Sequence, residues 1–447
     1  MTSTATETHL EGAPREAPTA PYLVLVLEGA RPLAGGLRLR LDAIDEVVIG
    51  RGHERTATIT DRVLELRVPD RRMSATHARL KPGLAGWELQ DAGSKNGSRI
   101  GGETKARAAL TDGVVLELGQ TLFVFRAAWP VAGDAILDHP LEIAGVTTLI
   151  PALAARLDEL TRLAPTRVSL VIGGETGTGK EVVARAVHAA SGRTGPLVAV
   201  NCAALPPGLV ESELFGHRKG AFSGAVDDRP GLVRSADDGT LLLDEVGDLP
   251  PPAQAALLRV LQEREVVAVG DTRPQPVDVR VIAASHRDLP ALVEAGRFRA
   301  DLWARLAGHL VRLPPLRERR EDLGVLVAAL LRRHAGDRAD TVTLTAEAAH
   351  LLVTALWPLN VRALDKALET ALALAGDRAI DVAHLREVHE APAAPTPDDG
   401  DLRALLVALL TEHHGNVTQV AKAMGKARMQ VQRWLRRFEL DAARYRP

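Results

Sequence analysis

The sequence has little of several features that mark special classes of protein. Cysteine occurs once, as Cys202, which excludes an intramolecular disulfide framework and a cysteine-rich zinc site. Aromatic residues make up 3% of the chain, so the hydrophobic cores must be built from Ala, Leu and Val. No apolar run approaches the ~18–20 residues of a membrane span, and the N-terminus lacks the basic start and apolar core of a signal peptide. We therefore expect a cytoplasmic protein without a membrane partner.

Charge of one sign is not in excess either. The chain holds 55 Lys and Arg against 57 Asp and Glu, a formal net charge of −2. This balance excludes a uniformly basic nucleic-acid coat and an acidic disordered chain. It also hides an asymmetry, because residues 401–447 hold nine basic and four acidic residues and carry +5, whereas residues 1–400 carry −7.

The length of 447 residues favours about three domains at roughly 150 residues each. Short apolar or alternating runs separated by Gly, Asp and Pro come first and indicate a β-sandwich. Apolar runs that alternate with helical stretches follow and indicate a mainly parallel α/β sheet. We predict a disordered tail (1–20), a sandwich (21–128), a linker (129–140), an α/β domain (141–390) with a helical part from about residue 315, a second linker (391–400) and a basic helical module (401–447).

A glycine-rich stretch follows the apolar run Val168–Ile172 and opens a helical stretch. Its glycines allow backbone N–H groups to surround phosphate oxygens, and Lys180 can reach the terminal phosphates of ATP. Glu181 stands where a magnesium-binding Ser or Thr is usual, so a metal would need water and another carboxylate. The alternative is a glycine-rich turn that binds nothing. The predicted ATP-binding residues are Gly174, Glu175, Thr176, Gly177, Thr178, Gly179, Lys180 and Glu181.

A carboxylate pair, Asp244 and Glu245, ends the apolar run Thr240–Leu243. The carboxyl end of a strand is where α/β sheets bind ligands. We predict that Asp244 holds Mg²⁺ and that Glu245 orients the attacking water. A pair of this kind is otherwise usually a solvated strand end.

Residues 141–390 resemble the AAA+ domain of bacterial enhancer-binding proteins, the sigma-54-dependent transcription activators, which also carry Glu after the phosphate-loop lysine. The strongest mark is ELFGHRKGAFSGA at 213–225, whose last part resembles the GAFTGA loop that presses on the sigma factor. An exposed Phe between glycines would serve as a mobile apolar probe. The alternative is a surface turn whose Phe packs into the core. The resemblance implies contact with sigma-54 through Gly220, Ala221, Phe222, Ser223, Gly224 and Ala225.

Further motifs match the same family in order. The resemblance makes Asn201 the switch asparagine that holds the catalytic glutamate, and it places Ser285 and His286 in the sensor I segment, where Thr-Asn is commoner. FRADLWARL at 298–306 resembles the arginine-finger helix, so Arg299 and Arg305 would reach the γ-phosphate of a neighbouring subunit.

WPLNVR at 357–362 is similar to the sensor II motif and makes Arg362 a nucleotide sensor on the helical lid. Two positions depart from the family pattern: Ser223 replaces a threonine and Leu359 replaces a glycine. We expect Ser223 to weaken or alter the contact with sigma-54. We expect Leu359 to change the packing locally and to leave the role of Arg362 intact.

Three segments of the sandwich, Gly50-Arg51, Ser74–His77 and Asp91–Gly97, resemble the binding loops of a forkhead-associated (FHA) domain, which binds phosphothreonine peptides. The guanidinium of an arginine suits bidentate contact with phosphate. His77 is expected to be structural. The implied partner is a phosphothreonine protein from a Ser/Thr kinase pathway, bound by Arg51, Ser74, Lys95 and Asn96.

The C-terminal module has helical stretches at Leu402–Glu412, Val417–Met424 and Arg428–Phe438, separated by Gly415-Asn416 and Gly425. This is a helix-turn-helix pattern, and it resembles the Fis-type domain that ends many enhancer-binding proteins. The alternative is a helical dimerisation tail. We expect contact with upstream enhancer DNA through Lys426, Arg428, Gln430, Gln432, Arg433, Arg436 and Arg437.

The predicted fold is therefore multidomain: an all-β FHA sandwich, an α/β AAA+ P-loop NTPase with a helical lid, and an all-α helix-turn-helix. The resemblance implies a ring, hexameric in the family, that hydrolyses ATP with Mg²⁺ and remodels sigma-54 RNA polymerase at the promoter. Two alternatives stay open. One is an FHA-containing DNA-binding regulator that does not remodel sigma-54 because the loop reads GAFSGA; the other is a different AAA+ remodeller or loader.

Overall fold

The computed structural model describes residues 18–84, 86–138, 141–143, 146–206, 208–385, 399–424, 431–432, 434–435, 438 and 440–445. They fall into two compact units, one before residue 390 and one after it. Most of the predicted tail (1–17) and of the second predicted linker (391–398) lies outside the described residues. The predicted first linker (129–140), by contrast, is partly β-strand: one strand extends to Pro130 and another spans Ile136–Leu137.

The first part of the chain forms two facing sheets, ordered β13-β2-β1-β12-β11-β8-β9 and β10-β7-β6-β3-β5-β4 among the described residues. The strands are β1 (Thr19–Glu28), β2 (Leu37–Arg40), β3 (Glu46–Arg51), β4 (Thr56–Thr60), β5 (Val63–Val68), β6 (Ala78–Gly83), β7 (Gly86–Asp91), β8 (Ser98–Ile100), β9 (Glu103–Thr104), β10 (Arg107–Ala109), β11 (Val115–Leu118), β12 (Thr121–Pro130) and β13 (Ile136–Leu137).

Alternation along the strands fills the space between these two sheets. Leu23 and Leu25 of β1 point into the sandwich beside Phe123 and Phe125 of β12, and all four side chains are buried. Successive residues of a strand face opposite sides, so the residues between them lie on the outer face of the same sheet. That outer face is also apolar, which means that something else must cover it.

The second part is an α/β domain with a parallel sheet in the order β17-β18-β21-β16-β22. Its strands are β16 (Leu170–Gly173), β17 (Leu197–Asn201), β18 (Thr240–Asp244), β21 (Arg280–Ser285) and β22 (His309–Arg312); small ladders are formed by β14 (Leu141–Ile143) with β15 (Val146–Thr148) and by β19 (Glu265–Val266) with β20 (Gln275–Pro276). The helices are α1 (Pro151–Leu163), α2 (Lys180–Ala189), α3 (Val210–Phe215), α4 (Gly231–Ser235), α5 (Pro251–Glu263), α6 (Leu289–Glu294) and α7 (Ala300–Leu306).

Three helices follow as a lid: α8 (Leu323–Ala335), α9 (Ala346–Thr354) and α10 (Asn360–Ala375). They cover the outer face of β1 and β12, because Val24, Val26 and Val124 belong to the same buried cluster as the apolar residues of the lid. The backbone N–H of Leu344 donates to the carbonyl of Gly29 at 2.7 Å. The sandwich and the lid therefore share one hydrophobic core.

The unit after residue 390 contains α11 (Asp399–Glu412) and α12 (Val417–Ala423). Oδ1 of Asn416, just before α12, accepts the backbone N–H groups of Thr418 and Gln419 at 3.1 and 3.3 Å. The core of the unit is built from Leu406, Leu410, Val420, Ala421, Val431, Trp434 and Leu435. None of the helices formed by described residues has the length and hydropathy needed to cross a membrane.

Candidate functional site

The predicted phosphate loop joins β16 to α2 at the carboxyl end of the parallel sheet. Gly177 and Gly179 have φ angles of +79° and +101°, a backbone region that L side chains avoid. A methyl group on Gly177 would also lie 2.1 Å from the carbonyl oxygen of Leu359 on the lid. Glycine is thus required at Gly177 both for the backbone conformation and for the approach of the lid.

Lys180 is buried at the start of α2 and its ammonium faces the loop. Nζ donates to the carbonyls of Gly174 and Glu175 at 2.9 and 3.3 Å and lies 3.8 Å from Oε1 of Glu245. Glu181, by contrast, points to the solvent side of α2 and pairs with Arg185. The ammonium of Lys180 therefore lies at the centre of the loop, and the carboxylate of Glu181 lies outside it.

Residues of the lid hold the loop from the other side. The guanidinium of Arg317 binds both carboxylate oxygens of Glu175 at 2.7 and 2.8 Å, and hydrogen bonds from Arg317 keep the pKa of Glu175 below its usual value. Nδ2 of Asn360 donates to the Glu175 carboxylate at 3.2 Å and to the Thr176 carbonyl at 3.0 Å. No local sequence pattern indicates these contacts, because the partners are about 140–185 positions apart.

Two further arginines of the lid lie close to the loop. Nη2 of Arg319 donates to the carbonyl of Thr178 at 2.8 Å, and Arg319 is buried. Arg362, the predicted sensor, is exposed on the first turn of α10. A methyl group on Gly177 would be 3.0 Å from its Cβ, so the structure brings Arg362 to the loop tip.

Asp244 and Glu245 stand at the carboxyl end of β18, next to the phosphate loop. Burial raises the pKa of Asp244, and the neighbouring Glu245 raises it further. Glu245 adopts a left-handed conformation with φ of +54°, a strained position that functional sites often contain. Cys202 is buried nearby, and burial raises its thiol pKa to about 12, so this thiol stays protonated at neutral pH.

The predicted switch and sensor residues take different partners from those expected. Asn201 faces Asp244 across the β17–β18 ladder, but its Oδ1 accepts the N–H of Ala203 at 3.0 Å. No hydrogen bond joins Asn201 to Glu245 in the described part of the chain. His286 binds Glu245 instead, with Nδ1 2.6 Å from Oε2. The hydroxyl of Ser285, also a predicted sensor residue, is buried and bonds within its own turn.

The predicted finger arginines lie on α7 or at its start, on the surface. Arg299 precedes α7 and pairs with Asp301 through two hydrogen bonds of 2.7 and 3.0 Å. Arg305 is exposed on α7 and makes no ion pair with any other described residue. Of these two arginines, Arg305 is the one without an ion pair among the described residues.

The GAFSGA loop is folded back on its own base. Phe222 is half-buried rather than exposed, because its ring packs edge-on against His217 with the centroids 5.0 Å apart. Ser223 is exposed at the tip, and the N–H of Gly220 donates to the carbonyl of Ala225 at 2.8 Å. This position differs from the free apolar probe expected from the sequence.

Arg218 clamps the base of this loop. Nη1 donates to Asp228 and Nε donates to Asp271, both at 2.7 Å, so one guanidinium joins the end of the loop to a second loop. The side chain of Asp228 is exposed, so its pair with Arg218 adds little to stability, whereas the side chain of Asp271 is only 11% exposed. No sequence motif indicates these contacts, since the partners follow no fixed spacing.

At one end of the sandwich, the structure brings together the four residues predicted to bind a phosphopeptide. The N–H of Arg51 donates to the Ser74 carbonyl at 2.9 Å, and Oγ of Ser74 accepts the N–H of Lys95 at 3.1 Å. Nδ2 of Asn96 donates to the carbonyl of Arg72 at 2.7 Å. The side chain of Arg51 is exposed beside these loops.

His77 lies beneath the same loops, as expected for a structural residue. It is fully buried, its Nδ1 accepts the N–H of Ser74 at 3.1 Å, and its Nε2 lies 3.2 Å from the carbonyl oxygen of Gly97. Gly50 is needed there too, because a methyl group on it would lie 2.0 Å from the Ala75 carbonyl oxygen.

Most of the predicted DNA-binding residues fall outside the described residues: Lys426, Arg428, Gln430, Arg433, Arg436 and Arg437. Gln432 is described and exposed, next to the buried Val431. Trp434 and Leu435 are buried.

Beside the phosphate loop is a cavity of about 700 Å³. Its size is within the range of small-molecule sites. Gly174 and Glu175 form one side, His286 a second, the segment from β22 to Glu318 a third, and Arg156 and Glu159 of α1 a fourth.

Comparison with known protein families divides the chain in the same order as the fold. Residues 47–119 match the FHA domain, 147–312 the sigma-54 interaction domain, 317–401 the AAA+ ATPase lid domain and 399–444 a homeodomain-like domain. Each of the fold classes expected from the sequence is confirmed.

Individual relatives agree with these matches. The chain is 43% identical over 323 residues to the transcriptional regulatory protein ZraR of Klebsiella oxytoca, covering 70% of this chain and 73% of that protein. It is 42% identical over 304 residues to GlrR of Escherichia coli K12, covering 66% and 68%. The crystal structure of NtrX from Brucella abortus in complex with ADP aligns with a TM-score of 0.51 and 32% identity, over 66% of this chain and 70% of that one. The chain therefore belongs to the family of sigma-54 transcriptional regulators, with an FHA domain in front of its AAA+ domain.

Proposed function

We propose that this protein is an ATPase that activates sigma-54 RNA polymerase from an upstream DNA site and takes its signal from a phosphothreonine protein. The observation that carries the proposal is the convergence of Lys180, Asp244 and Glu245 at the carboxyl end of one parallel sheet, in a chain that also carries the GAFSGA loop. The likeness to NtrX, solved with ADP, supports a nucleotide as the ligand.

Each residue of this centre has a definite task in the proposed hydrolysis. The N–H groups of the loop and the ammonium of Lys180 bind the β- and γ-phosphates once Nζ leaves the carbonyls that it now contacts. The carboxylate of Glu245 orients the attacking water. Arg362 approaches the γ-phosphate from the lid, so opening of the lid would follow loss of that phosphate.

Mg²⁺ fits the donor set, with Asp244 as its ligand. Burial makes the negative charge of Asp244 unfavourable without a cation, which is the meaning of its raised pKa. Clusters of three or more His, Cys, Asp or Glu are absent from the described residues, which suits an ion that keeps several waters and binds phosphate oxygens. When bound, Mg²⁺ would neutralise phosphate charge.

The proposed active form is a ring, a hexamer as in the family, with hydrolysis at the subunit interfaces. Arg305 is exposed and without an intramolecular ion pair among the described residues, so it is free to act on a neighbour. Arg299 would first have to leave Asp301. A trans arginine would stabilise the charge of the transition state.

A continuous set of contacts supports control by the FHA domain. Arg126 of β12 binds Glu321 at 2.6 Å, in a turn just before α8. Arg319, two residues earlier, binds the carbonyl of Thr178 in the phosphate loop. A phosphothreonine protein that docks on Arg51 and shifts the sandwich would thereby act on the nucleotide site.

The decisive experiment is sigma-54-dependent transcription in vitro with the full-length protein, ATP and a candidate promoter, beside an ATPase assay. Glu245→Gln should abolish both activities. Phe222→Ala should abolish open-complex formation and keep ATP hydrolysis within about twofold, because the Phe222 ring packs on His217, which is outside the nucleotide site. Leu84→Ala, on an exposed sandwich hairpin, is the matched control and should change neither.

Other outcomes would favour the alternatives. Hydrolysis of ATP without any association with sigma-54 indicates a different AAA+ machine. DNA and phosphopeptide binding by the full-length protein without open-complex formation indicates a regulator that does not remodel sigma-54. For the sensor, the ATPase rate with and without a phosphothreonine peptide should differ in the wild type and not in Arg51→Ala; equal responses contradict FHA control.

A further inference from the structure

The loop that follows Arg51 also reaches the part of the sandwich on which the lid packs. β3 ends at Arg51, β4 begins at Thr56, and Arg55 is the last residue of the loop between them. The side chain of Arg55 is only 9% exposed, whereas Arg51 is exposed. One short loop therefore has an arginine on the predicted phosphopeptide surface at one end and a buried arginine at the other.

The guanidinium of Arg55 joins segments that are distant in sequence. Nη1 donates to Oε1 of Glu28 at 3.0 Å, and Nη2 donates to Oδ1 of Asp138 at 2.5 Å. The same two nitrogens donate to the backbone carbonyls of Gly35 and Ala34 at 3.1 and 2.9 Å. Glu28 is buried, and burial raises its pKa, which the charge of Arg55 partly offsets. One buried cation thus holds both ends of residues 28–35, the connecting segment between β1 and β2.

The lid holds the same connecting segment from another side. Nη2 of Arg332 in α8 donates to the carbonyl of Leu33 at 2.9 Å. The backbone N–H of Leu344, just before α9, donates to the carbonyl of Gly29 at 2.7 Å. The connecting segment therefore lies between the β3–β4 loop and the lid, and both of them bind its backbone carbonyls.

A second loop of the predicted phosphopeptide site has a buried anchor of the same kind. Asp70, in the loop that leads to Ser74, is 2% exposed, and its Oδ2 accepts the N–H of Gln120 at 2.6 Å and the hydroxyl of Thr121 at 2.9 Å. The carbonyl of Gln120 in turn accepts the N–H of Gly29 at 2.9 Å. Two of the phosphopeptide loops therefore lead to the connecting segment through buried charged side chains.

We propose that Arg55 is the residue through which a phosphothreonine ligand bound at Arg51 acts on the lid of the nucleotide site. Arg51 and Arg55 flank one short loop, so a ligand that shifts this loop also shifts the guanidinium at its end. The connecting segment is closely packed and bound by its backbone, so it passes the shift on to α8 and α9. Ligand and nucleotide then change each other's affinity by the same factor. The inference rests on the phosphothreonine and nucleotide binding of the proposed function.

The test measures binding and coupling separately in the full-length protein. The probe is a pool of phosphothreonine peptides with randomised flanking residues, and the same pool without phosphate is the blank. In the wild type, a saturating amount of the pool should change the Kd for a non-hydrolysable MgATP analogue by about fivefold or more. The analogue should change the Kd for the pool by the same factor, because linkage is reciprocal.

The main variant is Arg55→Met with Glu28→Gln, which removes the guanidinium without leaving its carboxylate partner buried and charged. Its Kd for the pool should stay within about twofold of the wild type, because Arg51 is unchanged, whereas the coupling factor should fall to about one. Arg55→Lys is the milder variant. It keeps a cation beside Glu28 but lacks the fork that binds two carbonyls, so it should lower the coupling factor in part.

Arg62→Ala is the matched control, because it removes an exposed ion pair with Asp45 elsewhere on the sandwich. It should keep both the affinity for the pool and the coupling factor. Loss of coupling with retained peptide affinity distinguishes the proposed role from a structural one, since unfolding of the sandwich would weaken peptide binding as well.

The remaining outcomes each overturn a definite statement. If both Arg55 variants keep the wild-type coupling factor, the inference is wrong and control by phosphothreonine stands. If both lose affinity for the pool, Arg55 serves the binding site itself and the inference is again wrong. A wild type that does not bind the pool, or binds it without any change in nucleotide affinity, overturns the phosphothreonine signal of the proposed function and the inference with it.

Discussion

Arg126 and Glu321 form an ion pair that joins the sandwich to the lid of the AAA+ domain, with Nε 2.6 Å from Oε1. Glu321 is fully buried, and its second oxygen, Oε2, has no hydrogen-bond partner among the described residues. The same short turn includes Asp322, which binds Thr148 beside α1. One turn thus contacts the sandwich and the base of the α/β domain, and Arg319 next to it contacts the phosphate loop.

Removing the arginine should strongly destabilise the protein. Arg126→Ala leaves Glu321 buried without its cation, which costs about 3–5 kcal/mol of unfolding free energy in comparable cases. Arg107→Ala is the matched control, because its pair with Glu88 is on the surface and is worth about 0–1 kcal/mol. Urea unfolding of the full-length proteins measures both.

Neutralising the glutamate at the same time should recover part of the loss. In Arg126→Ala with Glu321→Gln, no charge remains buried, so the double variant should be more stable than Arg126→Ala alone. If Arg126→Ala unfolds like Arg107→Ala, the pair does not join the two parts of the unit.

The sequence contained a signal for this interface that the domain prediction did not use. Leu23–Leu27 and Leu122–Phe125 are unbroken apolar runs, and a strand covered on one face only would alternate with polar residues. The runs therefore indicated burial on both faces but could not name what lies on the second face. The charged run RERRED, residues 317–322, predicts a solvent-exposed segment, because charged runs usually lie in solvent. That prediction is wrong here, since Arg319, Glu321 and Asp322 are buried.

Asp322 should make stability fall as pH rises. Complete burial raises its pKa to about 6, more than its hydrogen bonds and Arg319 offset. In the unfolded chain an Asp has a pKa of about 3.9, so the folded state favours the proton and its advantage is lost as pH rises from about 4 through 6. Between pH 5 and 7.5 the wild type should lose about 1–1.5 kcal/mol more than Asp322→Asn.

For each protein, the relevant quantity is the change in unfolding free energy between the two pH values. Any effect of the introduced amide that does not depend on pH cancels in this difference. Urea unfolding at the two pH values gives the difference directly. A wild type that gains stability over Asp322→Asn as pH rises would mean that hydrogen bonds to the carboxylate outweigh its burial.

Gly324 lies where α8 of the lid packs tightly on β1 of the sandwich. A methyl group at this position in α8 would lie 1.8 Å from the carbonyl oxygen of Val26, a backbone atom that cannot turn aside. Gly324→Ala should therefore cost about 1–3 kcal/mol by forcing α8 and β1 apart, although alanine favours helix. Gly208→Ala, where nothing lies within 4 Å, should change stability by less than about 0.5 kcal/mol. Equal melting temperatures for the two variants would contradict the packing of α8 on β1.

The residues of the nucleotide site that belong to continuous sequence motifs could be predicted. The phosphate loop, the pair Asp244 and Glu245, and Arg362 each follow a local pattern, and the structure brings them to one end of the sheet. The partners that hold them were not predictable, because Arg317 and His286 meet the site only through the fold. A motif identifies a residue type at a position, whereas a hydrogen bond depends on which other segment arrives there.

Ser223→Thr tests whether the finger loop is weakened by its missing methyl group. Ser223 is exposed at the tip, so Thr fits without contact inside the subunit, and hydrolysis of ATP should be unchanged. One more methyl group buried against sigma-54 is worth about 0.8 kcal/mol of binding free energy. The amount of sigma-54 trapped in complex with the protein, at a given protein concentration, should therefore rise by up to about fourfold. Ser235→Thr, an exposed position on α4, is the matched control and should leave trapping unchanged. If the wild type and Ser223→Thr both hydrolyse ATP and both fail to trap sigma-54, the serine is not the cause, because restoring the family residue would have restored the contact.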